Sequence, residues 1–214
     1  MARAKICGLT SDVDLAAAVD AGADAVGVVS AVPVDSPREV DPATAAELLA
    51  GVPPFVTATL VTMPSSAERA VELVRTVGPD AIQLHGEWTP DELSFIRAET
   101  ERKVLLAIDA DDPARAEEFD GVADALVVDS ADESGAGGTG ETHDWADTGE
   151  LGARLTTPIV LAGGLTPENV VEAVRVAEPF AVDVASGVEL PDGRKDHNAV
   201  ARFVANAGSE VGFA

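Results

Sequence analysis

The chain has little cysteine, few aromatic residues and little positive charge. Its 214 residues include one cysteine, Cys7, and no tyrosine. A single cysteine cannot form an internal disulfide, and no long apolar stretch follows a basic segment near the first residues, so neither secretion nor a membrane span is indicated. We therefore expect a cytoplasmic protein.

The charge balance is strongly acidic, with 38 Asp and Glu against 14 Lys and Arg and a formal net charge of -24. The only lysines are Lys5, Lys103 and Lys195. A surface of this sign is a poor partner for nucleic acid. Like charges repel and weaken the folded state unless salt screens them, as it does at a Debye length of about 3 Å in 1 M salt. The dispersed acids favour a halophilic protein; the alternative is a mesophilic acidic protein that only gains solubility.

Strand and helix patterns alternate along the chain. Hydrophobic residues make up 46% of it, and short β-branched runs are separated by segments with helical spacing. The runs lie at residues 4–7, 25–29, 55–61, 81–84, 104–108, 125–128, 158–162 and 180–185. Eight successive βα units predict an α/β fold, a single (β/α)8 TIM barrel in which residues 1–214 form one catalytic domain. The alternative is an open doubly wound sheet, but the turn after the first run lacks the G-x-G-x-x-G spacing.

Helix starts are marked by capping residues. Ser65 with Glu68 and Thr89 with Glu92 have the spacing of a capping box, in which a hydroxyl and a carboxylate each satisfy one backbone N–H. Thr166-Pro167 adds a proline at a predicted first helical position. These signals predict helices that begin directly after each of the three positions.

The carboxyl ends of barrel strands converge on one face, where barrel enzymes carry their chemistry. The residues at the predicted strand ends are Cys7, Ser36-Pro37-Arg38, His85, Asp109, Asp129, Gly163-Gly164 and Ser186-Gly187. Cys7 and Asp129 are candidates for a base and an acid that act on two ends of one small substrate. The alternatives are a small buried hydrophobe at Cys7 and a turn cap or ion pair at Asp129. Asp109 and Asp183 are weaker candidates, and Arg38 is either a surface residue or a bidentate carboxylate ligand.

Two glycine-containing turns at this face predict a phosphate site. Gly163-Gly164 leads toward a predicted helix, and Ser186-Gly187 ends the next strand. Glycine lets the backbone approach a ligand closely, and barrels often bind phosphate with the loops after strands 7 and 8. A third cluster, 135–140, contributes Gly138 and Thr139 as candidate contacts. The alternatives are tight turns for the first two segments and a flexible linker for the third.

The sequence resembles the phosphoribosylanthranilate isomerase family over nearly its whole length. The matching segments, in order, are Lys5-Ile6-Cys7-Gly8-Leu9-Thr10, Ser36-Pro37-Arg38, Gln83-Leu84-His85-Gly86, Val128-Asp129-Ser130, Gly137-Gly138-Thr139-Gly140 with Asp144-Trp145, residues 163–170, residues 182–189 and Lys195-Asp196. The resemblance implies an Amadori rearrangement of a small phosphoribosyl substrate in tryptophan biosynthesis, without a metal or cofactor.

The resemblance also implies a role for individual residues. Asp129 is expected to act as general acid and Cys7 as general base, and Arg38 to bind the anthranilate carboxylate. The remaining expected contacts are His85 and Asp183 to the substrate and Gly138, Gly164, Ser186 and Gly187 to the phosphate. The base must be partly ionised. A free thiol has a pKa of about 8.5, which a helix start or a nearby cation lowers. Lys5 and the following helix start are the two candidate causes, and the sequence leaves open which of them ionises Cys7.

Two departures from the family pattern affect ligand packing. Residues 29–35 contain no aromatic side chain where the family commonly has them, and Ala185 replaces a frequent serine. Two other function classes remain: a different phosphosugar barrel enzyme, and a phosphoribosyl-ligand binder without turnover. The three histidines lack metal-ligand spacing, which argues against zinc. The sequence leaves the oligomeric state open.

Overall fold

The computed structural model describes residues 1–129 and 144–209. Within them, parallel strands β1 to β8 pair in chain order, and β1 pairs with β8 to close a barrel. The strands are Arg3–Cys7, Ala25–Val29, Thr57–Thr62, Ala81–Leu84, Lys103–Asp109, Ala125–Asp129, Ile159–Leu161 and Ala181–Val184. The predicted (β/α)8 barrel is confirmed.

A helix follows each strand in the described part of the chain. Helices α1 to α8 are Asp12–Asp20, Pro42–Ala50, Ala67–Val77, Pro90–Thr100, Pro113–Glu118, Trp145–Arg154, Val170–Ala177 and His197–Ala207, and a 3₁₀ turn, Ser186–Val188, lies between β8 and α8. No helix among the described residues is long and apolar enough to cross a membrane.

The predicted helix starts are partly correct. Thr89 and Glu92 form the predicted capping box at α4. At α3 the cap is Ser66, whose hydroxyl accepts from the Arg69 N–H, so the predicted Ser65 box is wrong by one residue.

Two other predicted boundaries were displaced by local turns. Helix α7 begins at Val170 and not at Pro167, because the Asn169 side chain accepts from the Thr166 N–H at 2.8 Å and holds a separate turn before the helix. The third strand begins at Thr57 and not at Phe55, which is fully exposed and has a left-handed φ of 74°. A left-handed residue cannot continue a strand.

The strand alternation determines which side chains face the inside of the barrel. In β1, Ala4 and Ile6 pack outward in an apolar cluster that includes Phe203 of α8. Lys5 and Cys7 are also buried and occupy the alternate positions, which face the barrel interior. Chemistry-bearing side chains are therefore held on a rigid strand at the inner face.

Candidate active site

One pocket at the carboxyl end of the barrel collects the predicted site residues that the structure describes. Its lining includes Cys7, Arg38, His85, Asp129, Asp183, Gly164, Ser186 and Gly187. Gly138 and Thr139 lie outside the described residues, and Asp109 is not in the lining. Segments far apart in the chain thus meet at the face where barrel enzymes place their sites.

Cys7 and Lys5 lie together against Gly27 of β2. A Cβ added at Gly27 would lie 2.9 Å from Cys7 Sγ and 3.2 Å from Lys5 Nζ, so glycine leaves the space that both side chains fill. Lys5 Nζ donates a hydrogen bond to Asp183 Oδ2 at 2.7 Å, and both side chains are buried. The thiol therefore has a buried cation beside it, and that cation is held by a carboxylate.

The electrostatic surroundings of Cys7 bear on a question that the sequence leaves open, namely what ionises its thiol. Burial raises the pKa of the Cys7 thiol, and the cations of Lys5 and Lys195 offset that increase only in part. The helix expected to assist begins at Asp12, beyond the loop that follows Cys7. The pKa of the thiol is thus raised on balance, because desolvation disfavours the thiolate more than the nearby cations favour it.

The two aspartates of the pocket differ in position. Asp129 is the last residue of β6, and β7 and β8 lie between it and the β1 strand of Cys7. Asp183 lies in β8 directly across the register from Lys5. Its second carboxylate oxygen, Oδ1, is buried and accepts no hydrogen bond from the described residues. Asp183 can therefore accept a hydrogen bond from a ligand while Oδ2 holds Lys5.

Arg38 is not a free surface residue, because Glu189 binds its guanidinium. Nε donates to Glu189 Oε1 at 2.8 Å and Nη2 donates to Oε2 at 2.9 Å. Lys195 Nζ donates to the same Glu189 Oε1 at 2.7 Å and to the Ala185 carbonyl at 3.1 Å. The sequence prediction gave no role to Glu189 or Lys195; the only signal was that both lie in segments that match the family pattern.

His85 is a neutral side chain in the pocket. Burial, assisted by the Lys5 cation, lowers the pKa of His85 to about 4. Gln83 Nε2 lies 3.1 Å from His85 Nε2. With the amide as donor, Nε2 is the acceptor and the ring proton lies on Nδ1. His85 can thus form hydrogen bonds near neutral pH without adding charge.

The two glycine turns interlock at the rim of the pocket. Gly163 and Gly164 have φ values of 83° and 61°, which glycine adopts without strain. A Cβ at Gly187 would lie 1.8 Å from the Leu165 carbonyl oxygen, so only glycine allows the β8 turn to approach the β7 turn this closely. Asn169 Nδ2 donates to the Gly164 carbonyl at 2.9 Å and fixes the first turn.

Aliphatic side chains form another part of the pocket wall. They come from the ends of β2 and β3 and the segments after them, and they are Val29, Val32, Val34, Val61 and Met63. This wall lies where the sequence lacks the expected aromatic residues. It can pack against a planar ring by apolar contact, with no aromatic stacking partner. Across residues 1–129 and 144–209, no group of three His, Cys, Asp or Glu is placed to hold a metal ion.

Comparisons with known proteins agree in family and fold. Residues 4–206 match the family model of N-(5′-phosphoribosyl)anthranilate (PRA) isomerase. A protein of Halorubrum lacusprofundi, named N-(5′-phosphoribosyl)anthranilate isomerase, is 82% identical over 214 residues and covers 100% of both chains. Its source is a halophilic archaeon, which confirms the halophilic origin predicted from the charge.

Solved structures extend the similarity to three dimensions. The crystal structure of phosphoribosyl anthranilate isomerase from Thermotoga maritima is 36% identical, with a TM-score of 0.83 and coverage of 97% of this chain and 98% of that chain. A phosphoribosyl anthranilate isomerase crystallised in complex with reduced 1-(o-carboxyphenylamino)-1-deoxyribulose 5-phosphate is 34% identical in sequence, with the same TM-score of 0.83 and the same coverage, 97% of this chain and 98% of that chain. The structural similarity therefore covers nearly the whole of this chain, including the strands that form the pocket.

Proposed function

The chain belongs to the N-(5′-phosphoribosyl)anthranilate isomerase family, and on that premise we propose that Cys7 and Asp129 are its general base and general acid. It is an isomerase of tryptophan biosynthesis and converts N-(5′-phosphoribosyl)anthranilate to 1-(2-carboxyphenylamino)-1-deoxyribulose 5-phosphate by an Amadori rearrangement. The single observation that supports the proposal is that both side chains line one pocket, together with Arg38 and the glycine turns.

The reaction requires two proton transfers. Asp129, in its protonated form, gives a proton to the furanose ring oxygen, and the C1–O bond breaks to leave a Schiff base between C1 and the anthranilate nitrogen. The Cys7 thiolate then takes the proton from C2, and the electron pair of that C–H bond forms the enolamine. Tautomerisation of the enolamine gives the C2 ketone. Both steps use side-chain acids and bases, so this mechanism needs no metal or cofactor.

Lys5 supports the base in this scheme. Burial disfavours the Cys7 thiolate, and the Lys5 ammonium beside it offsets part of that penalty. Asp183 keeps Lys5 charged, because Asp183 and Cys7 together raise the pKa of Lys5 despite its burial. The ammonium stabilises the thiolate, and its own hydrogen bond to Asp183 prevents it from turning away.

Substrate groups are assigned to five parts of the pocket. Arg38 binds the anthranilate carboxylate and the aliphatic wall packs on the ring. Asp183 Oδ1 accepts a hydrogen bond from a sugar hydroxyl, because it is buried and accepts none from the described residues. Neutral His85 adds a hydrogen bond to the substrate. Backbone N–H groups of Gly164, Ser186 and Gly187 bind the phosphate, and a contribution from Gly138 remains a prediction.

An activity assay tests this function directly. Loss of anthranilate-adduct fluorescence is followed with the purified chain in molar salt, so that an unfolded protein is not mistaken for an inactive one. Turnover is expected, with Cys7→Ala folded and nearly inactive. A chain that bound the substrate without turnover would instead be a phosphoribosyl-ligand binder, and near-normal kcat in Cys7→Ala would exclude the thiol as base.

The remaining proposals concern organisation. We place the whole of residues 1–214 in one catalytic domain, and we propose a cytoplasmic location in a salt-rich cell. The ligand is the small phosphoribosyl substrate of the proposed reaction. Nucleic acid is not an expected partner, because the net charge of -24 disfavours its binding.

A further inference from the structure

Glu189 and Arg38 come from opposite ends of the chain and meet at the pocket. Glu189 follows the 3₁₀ turn after β8, and Arg38 follows β2, 151 residues earlier. Their two hydrogen bonds form a bidentate pair, and the side chains are only 10% and 22% exposed. A bidentate pair fixes the plane of the guanidinium as well as its position.

The pair leaves a defined part of Arg38 for a ligand. A guanidinium carries five N–H groups, and Glu189 takes the Nε–H and one Nη2–H. Of the remaining three, the second Nη2–H and one Nη1–H lie together on the end of the guanidinium, and the other Nη1–H points to the side of Cδ. The end-on edge has the same forked geometry and matches a second carboxylate. Glu189 therefore occupies one edge of the guanidinium and leaves the end-on edge for a ligand.

The aliphatic part of the Arg38 side chain packs directly against Gly8. A Cβ at Gly8 would lie 2.6 Å from Arg38 Cδ, and Gly8 itself has a φ of 74°. Because Gly8 directly follows Cys7, the arginine stem crosses the backbone next to the proposed base. The Arg38 side chain is thus held at its stem by Gly8 and at its guanidinium by Glu189.

The cluster also has the charge that a carboxylate ligand requires. Lys195 binds Glu189 Oε1, so one carboxylate lies between two cations and the group carries one net positive charge. Without Glu189, Arg38 and Lys195 would repel each other, and Arg38 would be free to move away from the pocket. Fixing a long flexible side chain before the ligand arrives reduces the entropy lost on binding.

We infer that Glu189 is a positioning residue, which orients Arg38 so that its free guanidinium edge receives the ring carboxylate of the substrate. The inference rests on the proposed role of Arg38. It adds that Glu189 determines recognition of the ortho-carboxylate and acts on that group alone. A residue that only joined the two loops would instead affect every ligand of the pocket equally.

Two competitive inhibitors separate these roles. The first is reduced 1-(o-carboxyphenylamino)-1-deoxyribulose 5-phosphate, and the second is the same compound without the ring carboxylate. In Glu189→Gln, we expect the Ki of the first to rise about tenfold, the effect of roughly 1.4 kcal/mol, and the Ki of the second to change less than about twofold. Glu99→Gln, which alters an exposed ion pair with Arg75, is the matched control and should change neither Ki.

Combined variants show whether Glu189 acts through Arg38. Arg38→Ala should weaken the carboxylate inhibitor selectively, and adding Glu189→Gln to it should weaken binding no further, because coupled residues are not additive. If Glu189→Gln weakens both inhibitors equally, or weakens neither, the inference is wrong while the role of Arg38 stands. If Arg38→Ala fails to discriminate between them, the carboxylate assignment fails and the inference with it. Should Glu189→Gln not fold, Glu189→Asp, which keeps the charge but shortens its reach, takes its place.

Discussion

Lys5 and Asp183 form a buried ion pair across the register between β1 and β8, with Nζ 2.7 Å from Oδ2. The lysine end of this pair borders Cys7, because both side chains fill the space above Gly27. Asp183 itself has a free buried oxygen at the pocket among the described residues. One pair thus connects the proposed base with a proposed substrate contact.

The pair predicts a change in the pH dependence of catalysis when Lys5 is replaced. The active form of Cys7 is the thiolate, so kcat rises with pH through the thiol pKa. Burial already raises that pKa, and Lys5→Met removes the nearest opposing cation, so the rising limb should move to still higher pH. Near neutral pH kcat should fall on the order of tenfold for each unit of that shift.

The measurement is kcat from about pH 6 to about pH 10, with Lys103→Met as control. Lys103 pairs with Asp124 on the exposed surface, and its loss should leave the limb in place. Removing one partner of a buried pair destabilises a protein by about 3–5 kcal/mol, so Lys5→Met/Asp183→Asn is the second variant if the single one does not fold. A limb that does not move in either variant would show that Lys5 does not act on the thiol.

The fold was predictable because the sequence pattern that specifies it, alternating apolar strands and amphipathic helices, is periodic. Each apolar run buries alternate residues inside and outside the barrel, as Ile6 and Lys5 do, and the eightfold repeat then specifies a closed sheet. The boundaries depend on single side chains: Asn169 delays α7, and Ser66, not Ser65, caps α3. Side-chain hydrogen bonds to nearby backbone N–H groups compete to set each helix start, and hydrophobic periodicity does not indicate which bond forms.

The pocket lining was predictable where its residues lie at strand ends, as Cys7 and Asp129 do. Glu189 was missed because its role comes from a contact with Arg38, 151 residues away in sequence. Lys195 was missed because it lies beyond the strand end and its role depends on Glu189, which it binds. The sequence also leaves open the direction in which the thiol pKa is shifted. It depends on how much burial outweighs the Lys5 cation, and burial is a property of the folded chain.

Asp129→Asn should abolish turnover while the fold is retained. Asparagine keeps the shape of the side chain but cannot give a proton to the ring oxygen, and general acid catalysis contributes about 10²–10⁴-fold. Asp109→Asn is a closely matched control, because Asp109 ends the neighbouring strand β5 in register with Asp129 but does not line the pocket. We expect kcat to fall by about that factor in Asp129→Asn and to stay within about twofold in Asp109→Asn. Equal activities of the two variants would remove the acid role of Asp129.

Gly187→Ala should disrupt the proposed phosphate site. The new Cβ would overlap the Leu165 carbonyl oxygen, so the β8 turn has to move away from the β7 turn. We expect KM to rise by on the order of tenfold or more, and the free energy of unfolding to fall by about 1–3 kcal/mol from the overpacked contact. Gly152→Ala in α6 is the control, because its Cβ would meet Ile159 Cγ1 at an ordinary 3.5 Å. Kinetics and denaturant unfolding measure both effects, and an unchanged KM in Gly187→Ala would argue against phosphate binding at this turn.

Salt should stabilise the folded chain. The 14 basic residues can neutralise at most 14 of the 38 acidic ones, which leaves the formal charge of -24 to repel itself. Screening weakens exposed ion pairs such as Arg75 with Glu99, but such pairs contribute only about 0–1 kcal/mol each. We therefore expect Tm to rise by on the order of 10 °C between about 0.1 M and about 1 M KCl, as the Debye length falls from about 10 Å to about 3 Å. Sucrose, which favours compact states without screening charge, is the control and should give a smaller rise. A higher Tm at low salt than at molar salt would contradict the expected adaptation.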